Sequence, residues 1–296
     1  MLLVRNIRLP LSCPDPDAEA AAQALRILHV PARKAAHCGV AKLSVDARHG
    51  KPVLVYTMAI TLKDEGEESA YAGASPCVCF TQPARFSFPV GDTALKSRPV
   101  VVGLGPAGLF AALLLARSGF RPLVLERGPE LDERVKAVEH FEKTGELNLN
   151  ANIQFGEGGA GTFSDGKLTT RVGDPLCAFV TDAFLQHGAP ADIAWRQKPH
   201  VGTDLLRGII RSIRQEIIAL GGEVRFHTAL TGLKIENGAL AGIETTAGDF
   251  ACQQLILAVG HSARDTFAML HSLGLPLECK PFSVGFRAEH LQTEID

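Results

Sequence analysis

The chain has 296 residues, 46% of them hydrophobic, with a formal net charge of −2 at pH 7 and a sequence pI near 6.6. That is ample apolar material for a core and more natural as two domains than one. The balanced charge excludes the basic footprint of a nucleic-acid binder or an anionic-membrane surface.

The start, "MLLVRNIRLPLSCPDPD", carries charges inside its apolar run and makes a poor signal peptide. The longest apolar run, "LFAALLLA" at 109–116, is too short to span a bilayer. A cytoplasmic protein with no membrane and no nucleic-acid partner is expected. The seven cysteines are scattered; Cys77 and Cys79 form a C-x-C without a second pair, and no C-x-x-C occurs. They read as free thiols in a reducing compartment. The ten histidines show no metal-ligand spacing, so no metal site is expected.

Residues 1–95 read as a small separate α+β unit. "LLVRNIRLPL" alternates like a strand, and "DPDAEAAAQALRILHV" is a helix with Ala22, Leu25 and Leu28 on one face. "VAKLSVDAR" and "KPVLVYTMAITL" are two strands around a His-Gly turn, which completes a β-α-β-β order. "KDEGEESAYAGASPC" reads as a mobile loop and "SFPVGDTALKSRP" as a linker. The unit carries no chemical motif, and a packing or docking role is expected.

The chemistry begins at "RPVVVGLGPAGLFAALLLARSGFRPLVLERG", residues 98–128. A buried strand, Val100 to Val102, runs straight into Gly103-x-Gly105-x-x-Gly108, with Pro106 and Ala107 inside the motif. A helix follows and stops at Gly119. A second strand ends in Glu126, 23 residues past the first glycine, followed by Arg127. Each part has a task in binding a dinucleotide. Gly103 makes the tight turn, Gly105 admits a pyrophosphate, and Gly108 lets helix and sheet approach. The phosphates sit at the helix N-terminus. Glu126 can accept both hydroxyls of an adenosine ribose and would repel a 2′-phosphate. The fingerprint alone leaves NAD and FAD open.

Further on, "PELDERVKAVEHFEKTG" is a helix whose Arg134 either pairs with cofactor phosphates or makes a surface ion pair. "NIQFGEGGAGTFSDGKL", residues 152–168, holds five glycines between Gly156 and Gly166. It fits both the dinucleotide and most of the P-loop pattern, yet Leu168 stands where a P-loop needs Ser or Thr, and the flanks are neither strand nor helix. "GTDLLRGIIRSIRQEIIALGGEVRFHTALTGLKIENGALAGIET" gives a helix and then strands, and "LILAVGHSAR" at 255–264 ends a further strand.

Three of these segments carry a resemblance. "VLERG" at 124–128 is similar to the second-strand ending of the glutathione-reductase-like, two-dinucleotide-fold flavoproteins. "LILAVGHSAR" resembles their A-T-G segment, with Val259 in place of the usual Thr. The strand around Thr228 to Leu230, Ala229 included, resembles the one that runs past the adenine. "GPAGLFAAL", "FGEGGAGTFSDGKL", "PHVGTD" and "GHSARDT" together resemble a poorly characterised group of FAD-dependent dehydrogenases within that superfamily, over nearly the whole chain.

The resemblance implies FAD, with Gly158, Gly159, Ala160, Gly161 and Thr162 along the isoalloxazine ring and Ala258 and Gly260 at the end of the A-T-G-like strand. Ser164, Asp165 and Lys167 are the nearest polar groups, either a capped turn or catalytic; no acid–base pair stands out. The expected fold is α/β: a Rossmann-like FAD-binding domain with a parallel sheet at 97–265, preceded by the β-α-β-β unit. Residues 266–296 read as the start of a substrate domain, truncated, with "SVGFRAEH" as its first strand and an exposed apolar edge near 282–288.

The expected function is FAD-dependent oxidoreduction of a small molecule by hydride transfer, with NADH or NADPH as a candidate electron donor. A homo-oligomer or a partner chain would complete the fold. The alternatives are a flavin-dependent tRNA-modifying enzyme and an inactive flavin-binding protein.

Overall fold

The computed structural model describes the chain except His49, Ala74, residues 83–87 and 164–167, Thr169, Arg171, Gly173, Lys198, Arg287 and Asp296, with Glu65 described by its backbone alone. Met1–Ser262 form one compact unit and Ala263–Asp296 a second.

The first unit opens with strand β1 (Leu2–Pro10), helix α1 (Pro16–Leu28), and strands β2 (Ala35–Asp46), β3 (Val53–Leu62) and β4 (Val78–Phe80). They build an antiparallel sheet in the order β2-β3-β1-β4. Asp15 caps α1 by accepting the Ala18 N–H at 3.1 Å, and Pro16 starts the helix with the φ it already prefers. The buried stripe of α1 is Ala20, Ala24 and Leu28, spaced four apart; Ala22 and Leu25 are only partly covered. The stretch expected to be a mobile loop holds a 3-10 turn, Glu65–Tyr71. Buried Glu68 pins it by accepting the Leu62 N–H at 2.9 Å, and β4 then adds a fourth strand.

A second core lies around the parallel sheet. Strand β5 (Val100–Val102), helix α2 (Pro106–Arg117), strand β6 (Leu123–Leu125) and helix α3 (Leu131–Thr144) follow the expected order. Helices α4 (Cys177–Gln186) and α5 (Thr203–Ala219), strand β7 (Glu223–Arg225), the antiparallel strands β8 (Leu230–Glu236), β9 (Ala239–Thr245) and β10 (Gly248–Ala251), and strand β11 (Leu255–Leu257) complete it. The sheet order is β11-β5-β6-β7, all parallel. All three residues of β5 and of β6 are buried, as strands covered on both faces require. Helices α2 and α5 pack together over them through Leu109, Leu113, Ile210, Ile213 and Ile217. Full burial of a side chain such as Ile213 stabilises by about 1.5–3 kcal/mol.

The two cores meet through backbone. The Leu43 N–H of β2 donates to the Trp195 carbonyl at 2.9 Å, and the Gln197 N–H donates to the Leu43 carbonyl at 2.9 Å. Edge strand β2 is thereby paired at one residue.

The second unit contains helix α6 (Arg264–Ser272) and the short helix α7 (Gln292–Ile295). The expected strand in "SVGFRAEH" is not formed by its described residues. Val284 and Phe286 alternate as a strand would, but among the described residues of that unit no strand lies alongside to pair their backbone. Phe282, Val284 and Phe286 are 85%, 82% and 104% exposed. Among the described residues no helix is long and apolar enough to cross a membrane.

Candidate functional site

Strand β5 has β6 on one side, reached through α2, and β11, the last strand, on the other. The chain therefore reverses its order at β5, and the carboxyl ends of β5 and β11 form a switch point, where open α/β sheets bind ligands. Gly103 leaves β5 at φ +96°, a conformation that side chains resist. A Cβ there would lie 2.5 Å from the Ala258 carbonyl oxygen. A Cβ on Gly108 would collide with the Gly103 carbonyl and stand 3.3 Å from the Ala258 Cβ. Ala258, half-buried, donates its N–H to the Val102 carbonyl at 2.8 Å, and exposed Gly260 follows with open space about it.

Gly105 differs from the other two. A Cβ there would meet nothing within 4 Å. Gly105 caps α2 without a side-chain hydrogen bond, and the Leu109 N–H makes a 2.9 Å helix bond to the Gly105 carbonyl. The amides of Ala107 and Gly108 thus belong to the helix's unsatisfied first turn, and Pro106 has none to satisfy. Pro106 and Ala107 are exposed. The positive end of α2 faces this free volume.

Glu126, at the end of β6, is 4% exposed. One carboxylate oxygen accepts the Leu104 N–H at 2.8 Å and the other accepts the Gly128 N–H at 2.8 Å. The side chain thus fastens the first glycine loop to the strand beside it. Each oxygen keeps a second lone pair for a hydroxyl donor. Arg127 beside it is half-buried and has an interaction of its own.

Thr228 and Ala229 lie in the connection before β8, not in a strand, because His227 turns the chain at φ +53°. The Thr228 N–H donates to the Glu126 carbonyl at 2.8 Å, which holds this connection beside the end of β6. The Ala229 N–H donates to Thr246 Oγ1 at 3.0 Å and its carbonyl accepts the Thr246 N–H at 3.0 Å. Both main-chain groups of Ala229 are thus paired with Thr246.

The glycine-rich run is built differently from expectation. Arg134 is fully buried. Its Nε and Nη2 donate to the Asn152 carbonyl at 3.1 and 3.0 Å, Nη2 also to Ile153 at 3.2 Å, and Nη1 to Glu157 and Gly159 at 2.6 and 2.9 Å. These five contacts to main-chain carbonyls engage all five donors of the guanidinium, one of which is shared with Thr162. Arg134 therefore neither binds phosphate nor makes a surface ion pair; it staples the loop from inside. Burial brings its pKa down to about 10, so the group remains a cation at neutral pH.

Gly158 and Gly159 also face inward. A Cβ on Gly158 would collide with Ile210 Cδ1, and one on Gly159 would lie 2.6 Å from Pro106 Cδ. Gly156 would meet Arg134 Nε at 2.7 Å. The protein's own packing alone excludes a Cβ at these three glycines. Thr162 is buried, its hydroxyl accepting from Arg134 Nη1 at 3.4 Å. Of the five expected ring contacts, exposed Ala160 and half-buried Gly161 are the two whose residues face outward. Ser164, Asp165 and Lys167 lie outside the described residues.

Sequence reasoning missed the second half of the staple. Buried Glu157 accepts the Leu131 N–H at 2.7 Å and pairs with Arg214 Nε at 2.9 Å, while Arg214 Nη1 reaches Glu130 at 3.0 Å. Burial pushes the Glu157 carboxyl up, against the pull of Arg214. Arg134 and Arg207 both lie over the Phe163 ring, at 4.8 and 5.2 Å from its centroid. A signal for Arg134 was present: with Leu131 and Val138 it occupies the buried i, i+3, i+7 face of α3. Finally, the Gly158 N–H donates to the Leu104 carbonyl at 2.9 Å, which joins the two glycine loops.

No protein-family model matches the chain. It is 52% identical over 206 residues to an uncharacterized protein of Clostridium beijerinckii, covering 70% of this chain and 39% of that one. It is 30% identical over 147 residues to digeranylgeranylglycerophospholipid reductase 1 of Methanococcoides burtonii, covering 49% and 32%. The chain thus spans about a third to two fifths of the length of these relatives. Among solved structures, the glycine oxidase of Bacillus cereus superposes with a TM-score of 0.38 at 13% identity, covering 60% of this chain and 59% of that one. The fold itself is α/β, with a parallel sheet whose first and last strands meet at the switch point.

Proposed function

We propose that this chain forms the FAD site of an oxidoreductase that acts on a small molecule. The observation that carries the reading is the junction of two loops at one switch point. The first loop offers the uncapped start of α2 and free volume at Gly105, with Glu126 on the neighbouring strand. That set fits an adenosine diphosphate half: amides and dipole toward pyrophosphate, carboxylate lone pairs toward ribose hydroxyls. The second loop, hydrogen-bonded to the first through Gly158 and Leu104, extends the platform past the pyrophosphate position. A second platform suits the longer FAD better than NAD, and it supports the resemblance drawn from "FGEGGAGTFSDGKL".

Bound FAD would supply two-electron hydride chemistry. The chain's own residues do the rest. Gly105 leaves room, the first turn of α2 meets negative charge, and Glu126 positions the ribose. Arg134 draws the carbonyls of 152, 153, 157 and 159 inward, away from the ligand side. Its buried charge places positive potential behind the loop, which would favour negative charge on a group held against it. The named activity of the Methanococcoides reductase is consistent with redox chemistry. Anaerobic titration of the FAD-loaded protein with NADH and with NADPH, followed at the flavin absorbance band, tests both the redox role and the donor. Bleaching by either supports the reading; a bound flavin inert to both and to dithionite contradicts it.

A further inference from the structure

A polar strap joins the loop after β11 to the segment before the glycine-rich run. Ser262 Oγ lies 3.2 Å from Gln154 Oε1 and 3.2 Å from His261 Nε2. His261 and Ser262 follow Ala258 and Gly260 on the loop leaving β11. Gln154 stands just before the glycine-rich run, two residues from Gly156. The strap therefore ties together the two loops that flank the switch point. All three side chains are solvent-accessible, so their order reflects their mutual bonding and not a packed core.

The donors along the strap can be assigned. A hydroxyl has one proton, and a side-chain amide oxygen only accepts. The Ser262 proton is directed at Gln154 Oε1. His261 Nε2 must then donate to Ser262 Oγ, so the neutral ring carries its proton on Nε2. The other nitrogen, Nδ1, is left with a bare lone pair and no hydrogen-bond partner among the described residues. A histidine held in one tautomer by its neighbour, with the other nitrogen free, is the arrangement of a general base.

We infer that His261 is the proton-transfer group of this site, with Nδ1 as the accepting atom and the Ser262–Gln154 strap as its positioning device. The inference rests on the flavin reading. Its substrate class is a molecule oxidised or reduced at a carbon that bears an ionisable X–H group, such as an alcohol or amine. On oxidation, the C–H bond would break and its hydride, two electrons with one proton, would be taken up by the two-electron acceptor that bound FAD would supply. The X–H bond breaks and its proton passes to His261 Nδ1, leaving C=X. The reverse reaction returns both, with reduced flavin as the reductant.

The test is two-dimensional ¹⁵N–¹H correlation of the imidazole rings in the full chain labelled at histidine, without and with added FAD, at a pH where the ring is neutral. His261 is assigned by loss of its signals in His261→Gln. The expected result is an Nε2–H ring in the wild type and in Gln154→Glu, which keeps an acceptor at that position. In Ser262→Ala the Nδ1–H form should appear. FAD should shift the His261 signals more than those of the other nine histidines. An Nδ1–H ring in the wild type overturns the inference. So does an unmoved His261 when flavin absorbance shows FAD to be bound, and in that case the flavin reading stands. Absence of any FAD binding overturns the flavin reading itself, and the inference with it.

Discussion

The Gly158 N–H donates to the Leu104 carbonyl at 2.9 Å, and the Leu104 N–H donates to the Glu126 carboxylate at 2.8 Å. Leu104, buried between the two glycine loops, thus passes order from the end of β6 to the glycine-rich run. The site is a set of loops fastened to each other, and its predictions follow from which fastening is cut.

Arg134→Met should be the most damaging single change near the site. It leaves four main-chain carbonyls without their buried donors, and removing one side of such a network costs about 3–5 kcal/mol. Urea denaturation should show the lower midpoint, and limited proteolysis should cut first within 152–162. A variant with the native midpoint would remove the staple from the account.

Gly103 and Gly105 should separate folding from binding. Gly103→Ala forces a side chain into a positive φ and against the Ala258 carbonyl, at a cost of about 2–4 kcal/mol. Gly105→Ala should change stability by no more than about 0.5 kcal/mol, because its Cβ enters open space. That same space is where a pyrophosphate would lie, so the methyl group should weaken FAD by about tenfold, roughly 1.4 kcal/mol. Thermal melts and flavin fluorescence titrations on the two variants check both halves.

Glu126→Ala should lose on both counts. The Leu104 and Gly128 amides become buried donors without acceptors, and ribose hydroxyls lose their charged partner, worth about 1.5–3 kcal/mol. Glu126→Gln keeps one acceptor oxygen and should retain more stability than Glu126→Ala. Equal FAD affinity in wild type and both variants would displace the adenosine from this strand end.

Acid stability should report on Glu216. The Arg117 guanidinium, at 2.8 Å, holds its carboxyl below the usual 4.5, and His187 adds a second hydrogen bond. A carboxyl with a depressed folded-state pKa stabilises above its unfolded value and loses that contribution as pH falls through the folded one. Wild-type stability should therefore fall below about pH 4.5, and Glu216→Gln should flatten that slope while lowering stability at pH 7. An unchanged slope between pH 5 and 3 would show that the pair contributes nothing.

Much of the site was legible because its grammar is local. The strand at 100–102, the three spaced glycines and the acid at 126 sit within one short stretch, and each obeys a rule of backbone geometry. The glycine-rich run is legible from its composition, but the atoms that exclude a side chain there are not. A sequence shows that Cβ is excluded at 158 and 159, but only the fold shows that Ile210 and Pro106 exclude it. Arg134 was misread because charge suggests a ligand or solvent, whereas its position between Leu131 and Val138 buries it. The alternation of Val284 and Phe286 suggested a strand, but a strand needs a neighbour that no local pattern encodes.

FAD is proposed to bind at the switch point beside Gly105. The most direct measurement is a flavin absorbance and fluorescence titration of the purified, flavin-free chain, run beside Gly105→Val with its circular dichroism recorded. Saturable binding of one FAD per chain with a perturbed flavin spectrum is expected, abolished in a Gly105→Val protein that retains the native circular dichroism. Absence of saturable binding in the wild type, or equal binding in a natively folded Gly105→Val, would contradict it.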